Sequence, residues 1–201
     1  GAGLGLGDLG VGDAEAAAKA GDFGGSVVIK ILSDEILHKS EVGGVAVGVA
    51  LADVEAACEA MLARVRSATT ARIDGLLIQE LVKDGVEFIL GYNCDPQLGP
   101  GILLGAGGVQ TELYQDVAMR LLPVTRDDVK EMIGELKCAA LLEGFRGRPV
   151  ADTEALVDAV LSFAEMVVAL DSRLEEAEIN PVFVLEKGKG VRAGDALAVL
   201  R

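Results

Sequence analysis

The chain has 201 residues and carries 18 Lys and Arg against 32 Asp and Glu, a net charge of −14. So acidic a chain lacks the clustered cations that grip nucleic-acid phosphates, and anionic membrane surfaces repel it. With 51% hydrophobic and 25% charged residues it reads as a folded globular protein of one domain or two small lobes; at 3% aromatics its core has to be aliphatic, and base-stacking platforms are not expected.

In chain order, residues 1–12 hold six glycines, and 5–10 spell GxGxxG. A dinucleotide turn needs a strand before it, and only four residues precede this one, so residues 1–12 are expected to be a flexible leader. The chain begins Gly-Ala-Gly without Met, as a fragment, a processed chain or one module of something larger would. Residues 13–20 are Ala-rich and predict a short helix stopped by Gly21, Gly24 and Gly25. Residues 27–32 (VVIKIL) predict a buried strand with one Lys embedded in it. A polar loop over 33–41 leads through Gly43 and Gly44 to a strand at 45–50. A helix follows at 53–66, with Val54, Cys58, Met61 and Val65 on one face.

Strands are predicted at 75–79 and 86–90, joined by a turn at Lys83, Asp84 and Gly85, and again at 101–104, running into the glycine-rich 105–108. Thr125 and Asp128 form a capping box for a helix whose core face is Val129, Met132, Ile133 and Leu136. Asp152 caps a longer helix with the stripe Leu156, Val160, Phe163 and Val167. Residues 177–185 and 191–200 predict a closing hairpin across 187–190. Strands and helices mix without βαβ regularity, so the fold class is α+β in two lobes.

Chemistry has few places to lie. The three cysteines, Cys58, Cys94 and Cys138, include no CxxC pair, which points to reduced thiols in a cytoplasmic compartment and away from a zinc site. No apolar run reaches membrane-spanning length. Lys30, inside its strand, either faces solvent from a sheet edge or contacts a phosphate as a compact point charge. His38 is the sole histidine; in a polar loop ending in paired glycines it is either a surface residue or a nucleophile toward a phosphoryl group. Asn180 and Asp195, fifteen residues apart, would meet across the hairpin as two oxygen ligands, the sparse kind of protein set that holds Mg²⁺, or else serve as turn and cap. The glycines of 105–108 offer a phosphate cradle without the Lys-Ser/Thr of a P-loop.

Taken together, residues 27–33 (VVIKILS), 36–45 (ILHKSEVGGV), 77–87 (LIQELVKDGVE), 95–100 (DPQLGP), 105–116 (GAGGVQTELYQD), 142–149 (LEGFRGRP) and 178–182 (EINPV) resemble, in collinear order over 13–201, the ATP-grasp module of the NDP-forming acyl-CoA synthetases. That family includes ADP-forming acetyl-CoA synthetases and is related to the succinyl-CoA synthetase β subunit. The resemblance implies an ATP-grasp fold: an N-terminal lobe over 13–82, a C-terminal lobe over 83–201, and ATP or ADP between them. It implies that Lys30 contacts the phosphates. Gln79, Glu80, Leu81 and Val82 would edge the adenine, Glu87 would hold the ribose, and Asn180 and Asp195 would ligate Mg²⁺. His38 matches the histidine that carries phosphoryl groups from the nucleotide toward a second histidine on a CoA-binding partner module. The implied activity is that of an acid–thiol ligase (acid + CoA + ATP ⇌ acyl-CoA + ADP + phosphate), active with CoA-binding and ligase modules that this sequence lacks. ATP-grasp domains of this type also regulate multidomain protein acyltransferases; the intact His38-Lys39-Ser40 and the Asn180/Asp195 pair favour the enzyme. Gly194 stands where the family usually has an apolar residue, and is expected to loosen Asp195.

Overall fold

The computed structural model describes residues 25–36, 39–108 and 116–201, so the leader, the helix expected at 13–20 and His38 lie outside the described residues. The chain divides into two compact units, residues 1–81 and 82–201. It is α+β throughout.

In the first unit, β1 (Ser26–Leu32), β2 (Val45–Ala50) and β3 (Gly75–Glu80) form an antiparallel sheet in the order β2-β1-β3. The β-branched run of β1 makes it a natural central strand, and Val27, Ile29 and Ile31 alternate onto one face. Helix α1 (Val54–Ala68) covers that face with Val54, Cys58, Met61 and Val65, and Ile78 completes the core. The paired glycines after the polar loop have separate reasons. Gly43 sits at φ +70, and a Cβ on Gly44 would lie 2.2 Å from Ile31 Cγ2 and 2.9 Å from the Lys39 carbonyl. The Gly44 carbonyl accepts the Ile31 amide at 2.9 Å, which folds the loop back beside β1.

The second unit is built on a six-stranded antiparallel sheet. Strand β4 (Val86–Asp95) pairs β5 (Gly99–Ala106) on one side and β7 (Leu174–Val184) on the other, β6 (Val117–Leu121) lies outside β5, and β8 (Val191–Ala193) and β9 (Ala196–Leu200) both pair β7. Phe88, Leu90, Tyr92, Ile102, Leu104, Ala118, Ala177 and Val182 point to one face, where α2 (Arg126–Glu135) and α3 (Thr153–Leu170) bury Val129, Met132, Leu156, Val160, Phe163 and Val167 against them. The Thr125–Asp128 capping box is present, both halves of it bonded. Asp152 does more than cap α3: one carboxylate oxygen accepts the Ala155 amide, and the other accepts Gly188 and Gly190 at 2.9 and 3.0 Å, tying the closing hairpin to the helix start.

Two expectations change here, and one strand is new. The strands expected at 75–79 and 86–90 belong to different sheets, so the turn at 83–85 links two units rather than neighbouring strands. The strand expected at 86–90 runs on to Asp95 and forms a hairpin with β5, closed by Asp95 Oδ1 accepting the Gln97 and Leu98 amides at 2.7 and 2.8 Å. Strand β6, with its mixture of exposed Val117, Met119 and Leu121, carries no turn signal and is not anticipated from periodicity.

Candidate functional site

Lys30 is not an edge lysine. It lies on the central strand of the first sheet, 8% exposed, paired with Val45 on one side and Leu77 on the other. That removes the edge-strand explanation for a charge in this run. The register also places it relative to Gln79. Val28 pairs Gln79 and Lys30 pairs Leu77, so Lys30 and Gln79 share the sheet face turned away from α1. Glu80 pairs Val27 at the end of β3, and Leu81 and Val82, both half-buried, follow it where the two units divide.

In the second unit, Glu87 alternates with buried Val86 and Phe88 and so points away from the helices. The glycine run after β5 is laid directly over this stretch. The Gly107 amide donates to the Glu87 carbonyl at 2.9 Å, and a Cβ on Gly107 would meet the Phe88 backbone at 2.7 Å. At Gly108, with φ +68, a Cβ would overlap the Glu87 carboxylate, 2.1 Å from Oε2. The expected ribose residue and the expected phosphate loop are therefore one packed assembly, and the close approach that these two glycines permit is to β4.

The base of that loop is fixed by Asp116. Its carbonyl accepts the Ala106 amide at 3.0 Å, while its carboxylate accepts the amides of Lys137 and Cys138, both at 2.8 Å, at the start of a short 3-10 turn over Lys137–Glu143. Burial by itself pushes the Asp116 carboxyl upward, but these amide donors outweigh it and hold the group below its ordinary value. The same contact acts on its neighbour: burial first, and the Asp116 carboxylate second, push the Cys138 thiol up to about 12. No spacing rule links residue 116 to 137, and sequence reasoning misses this contact.

Asn180 and Asp195 do come together. Between the pairs Phe88–Val182 and Leu90–Ile179, a single residue of β4 faces both Asn180 and Pro181, so β7 bulges there. Bulges re-aim side chains beside functional sites. The returning chain breaks into β8 and β9 opposite this bulge, and Asp195 sits in the break. The Asn180 amide donates to the Asp195 carbonyl at 3.0 Å, and the Gly194 amide donates to the Pro181 carbonyl at 2.7 Å. Asp195 Oδ1 accepts the Ala196 amide at 3.0 Å. Gly194 therefore does not loosen Asp195 as expected; the turn is bonded on both sides of the bulge. The contact that joins the two residues is between their backbones; an amide and a carboxylate are the hard oxygen donors expected of an Mg²⁺ pair. Among the described residues no helix is long and apolar enough to cross a membrane.

Comparison with known proteins places the chain in a family. The ATP-grasp domain family model matches residues 10–200. The chain is 36% identical over 189 residues to the β subunit of acetate–CoA ligase [ADP-forming] II of Pyrococcus furiosus, covering 93% of this chain and 80% of that subunit. It is 40% identical over 179 residues to acetate–CoA ligase [ADP-forming] I of Archaeoglobus fulgidus, matching 88% of this chain but 26% of that longer protein, about a quarter of its length. Among solved structures it superposes with a TM-score of 0.87 at 37% identity on the dinucleotide-forming acetyl-coenzyme A synthetase 1 of Ca. Korarchaeum cryptofilum bound to coenzyme A and Ca-AMPCP, over 96% of this chain and 84% of that one. The same synthetase bound to coenzyme A and Mg-AMPPCP, with its phosphohistidine segment pointing towards the nucleotide binding site, matches with a TM-score of 0.77 at 35% identity, over 98% and 87% of the two chains. The chain belongs to the ATP-grasp domain family. Within it, the chain stands with the β subunits and corresponding segments of the ADP-forming acetate–CoA ligases.

Proposed function

We propose that this chain is the nucleotide-binding, phosphoryl-transferring part of an ADP-forming acid–CoA ligase, working in the cytoplasm with CoA-binding and ligase modules carried on a separate subunit or fused to it. The observation that carries the reading is Lys30, an ammonium buried on a central strand on the same face as Gln79, in a chain matching a ligase β subunit over 80% of that subunit's length. An ammonium held on the regular face of a central strand is a compact point charge, the kind that suits a phosphate.

In this reading the Lys30 ammonium holds the phosphates. Gln79, Glu80, Leu81 and Val82 edge the adenine, and the Glu87 carboxylate accepts from the ribose hydroxyls. Asn180 and Asp195 would hold Mg²⁺, which supplies charge neutralisation on the phosphates when bound. A ring nitrogen of His38 attacks the γ-phosphorus of ATP, the bond to the bridging oxygen breaks, and ADP leaves with that oxygen. The phosphoryl group then passes to the partner module, where an acyl phosphate forms and CoA displaces phosphate. Relatives of both kinds support this division, since the Archaeoglobus protein is far longer than this chain while the Pyrococcus counterpart is a β subunit. In a chain of net charge −14, affinity for a polyanion has to be local, from Lys30, backbone amides and above all the metal.

Incubation of the chain with its CoA-binding partner, Mg²⁺ and γ-labelled ATP tests the reading. Acid-labile label should appear on the wild type and vanish in His38→Ala; label that survives this change overturns the role of His38. Lys30→Ala should weaken ATP binding at least tenfold by calorimetry, and unchanged affinity removes Lys30 from the phosphate site.

A further inference from the structure

The turn that carries Asp195 is packed so tightly that it has no room for a side chain before it. A Cβ built on Gly194 would lie 2.8 Å from Phe183 Cε2, 2.9 Å from Pro181 Cδ and 3.1 Å from Pro181 Cγ. Pro181, the less yielding of the two, is held by the backbone. Pro181 belongs to the bulge of β7, and its carbonyl accepts the Gly194 amide at 2.7 Å. Phe183 pairs Glu87 and Arg192 across the sheet, and on its other flank it leaves no room for a side chain at Gly85, where a Cβ would lie 2.8 Å from Phe183 Cβ. Phe183 thus meets Gly85 at its Cβ and Gly194 at its ring tip, while the Pro181 ring beside Gly194 is held by the backbone.

Gly194 itself has no left-handed φ, so the demand for glycine here is one of space and not of backbone conformation. One residue on, Asp195 bonds back to Asn180 through its carbonyl. A methyl group at 194 has to lift the turn off Pro181 and Phe183, and the first groups displaced are the two expected metal ligands.

We propose that Gly194 is a positioning residue for the metal pair: the missing side chain lets the β8–β9 turn seat on Pro181 and Phe183, and this seating sets the separation of Asn180 and Asp195. The inference rests on the reading of those two residues as Mg²⁺ ligands, and Phe183 is the wall against which the turn is gauged. Residues that orient metal ligands without touching the metal typically change affinity by about 10–100-fold when altered.

The test is calorimetric binding of AMPPCP to the full chain, with saturating Mg²⁺ and again with excess chelator. The ratio of the two affinities reports the metal contribution alone. Gly194→Ala should reduce that ratio about tenfold while leaving binding in chelator unchanged, and adding Phe183→Ala to it should restore several-fold of the loss by giving the methyl space. A folded Gly194→Ala with an unaltered ratio overturns the inference. Should Gly194→Ala fail to fold, Phe183→Leu decides: a shortened wall should lower the ratio a few-fold, and no change counts against the inference. Asn180→Ala and Asp195→Ala separate the two levels. If they abolish the metal contribution while Gly194→Ala does not, the positioning role alone is wrong; if neither alters the ratio, the ligand reading falls and takes the inference with it.

Discussion

Both units cover one face of an antiparallel sheet with helices and turn the other face away, yet they do it with different amounts of material. Among the described residues of the first, one helix lies over three strands, and the core is a short aliphatic cluster around Ile29, Ile31, Met61 and Ile78. In the second, α2 and α3 lie over six strands, with Phe88, Met132, Leu156 and Phe163 at the centre of a larger cluster. The difference carries over to function. The small unit places its key charge by regularity, since Lys30 is aimed by the strict alternation of a central strand. The large unit places its polar groups at irregularities: a bulge for Asn180, a broken strand for Asp195, a glycine crossing for Glu87. The small sheet holds an irregularity too, a register shift against β2 at Val27 and Val28, but Lys30 lies beyond it on the regular part of β1.

The strongest way to break that comparison is to make the same cavity in each unit. Met61 and Met132 are both fully buried, one on each unit's helix face. Each Met→Ala change is expected to cost about 2–5 kcal/mol, through lost transfer energy and the cavity left behind. Met61→Ala should cost more than Met132→Ala, because the described core around Met61 is the smaller of the two. Hydrogen exchange should then show residues 26–80 losing protection while 86–200 keep it. If Met61→Ala and Met132→Ala destabilise the two units alike, the view of a thin first core is wrong.

Asp152 sharpens the other side, since it serves two elements of the larger unit at once. Asp152→Ala removes the α3 cap and the acceptor for Gly188 and Gly190, for a cost of about 1–2 kcal/mol from the cap alone. Asp152→Asn should recover most of it, because Asn caps nearly as well. Urea denaturation of the two variants measures this, and equal loss in both would show that charge, not acceptor geometry, is what matters here.

Much of this was legible beforehand, for identifiable reasons. The helices announced themselves through caps and apolar stripes, and Thr125, Asp128 and Asp152 are short-range signals that tertiary structure had no reason to override. Lys30 stood out because a charge inside a β-branched run is locally inconsistent, and such inconsistencies collect at functional sites. What stayed hidden depends on contacts between residues far apart in sequence. That β3 and β4 enter different sheets follows from pairing with β1 and with β7, which periodicity does not encode. The clamp of Asp116 on residues 137 and 138 has no spacing signature. Gly194 looked like a weak point because a sequence shows an absent side chain and not the Pro181 and Phe183 rings that fill its space.

The Asp116 clamp gives a smaller and pH-resolved prediction, again confined to the larger unit. The folded carboxyl sits below its unfolded value, so its contribution to stability is present above about pH 4 and is lost as pH falls through the folded value. Asp116→Asn turns an acceptor oxygen into a donor facing an amide, an expected loss of about 1–3 kcal/mol at neutral pH. The gap between wild type and variant should narrow in denaturation curves as pH falls below about 4 and through the folded value, and a gap that does not change with pH would assign it to packing.

The smallest effect leaves stability untouched and reads the opening of each unit separately. Cys58 is buried under α1 in the first unit, whereas Cys138 is half-buried in the second, with its thiol pushed up to about 12. A shift of that size from the ordinary thiol range leaves roughly a thousandfold less thiolate at pH 8, and thiolate is the species that a maleimide captures. Cys94, partly exposed at the end of β4, should therefore label first in the native chain, with Cys138 slow despite its partial exposure. Cys58 reacts only when its unit opens, so its labelling should accelerate in Met61→Ala and not in Met132→Ala. Asp116→Asn should quicken Cys138 only modestly, since burial, the larger cause of its high value, remains. Mass-spectrometric labelling rates for the three thiols check all of this in one experiment. If Cys58 and Cys138 respond together to either cavity, the two units open as one, and the contrast between a thin core and a thick one loses its kinetic meaning.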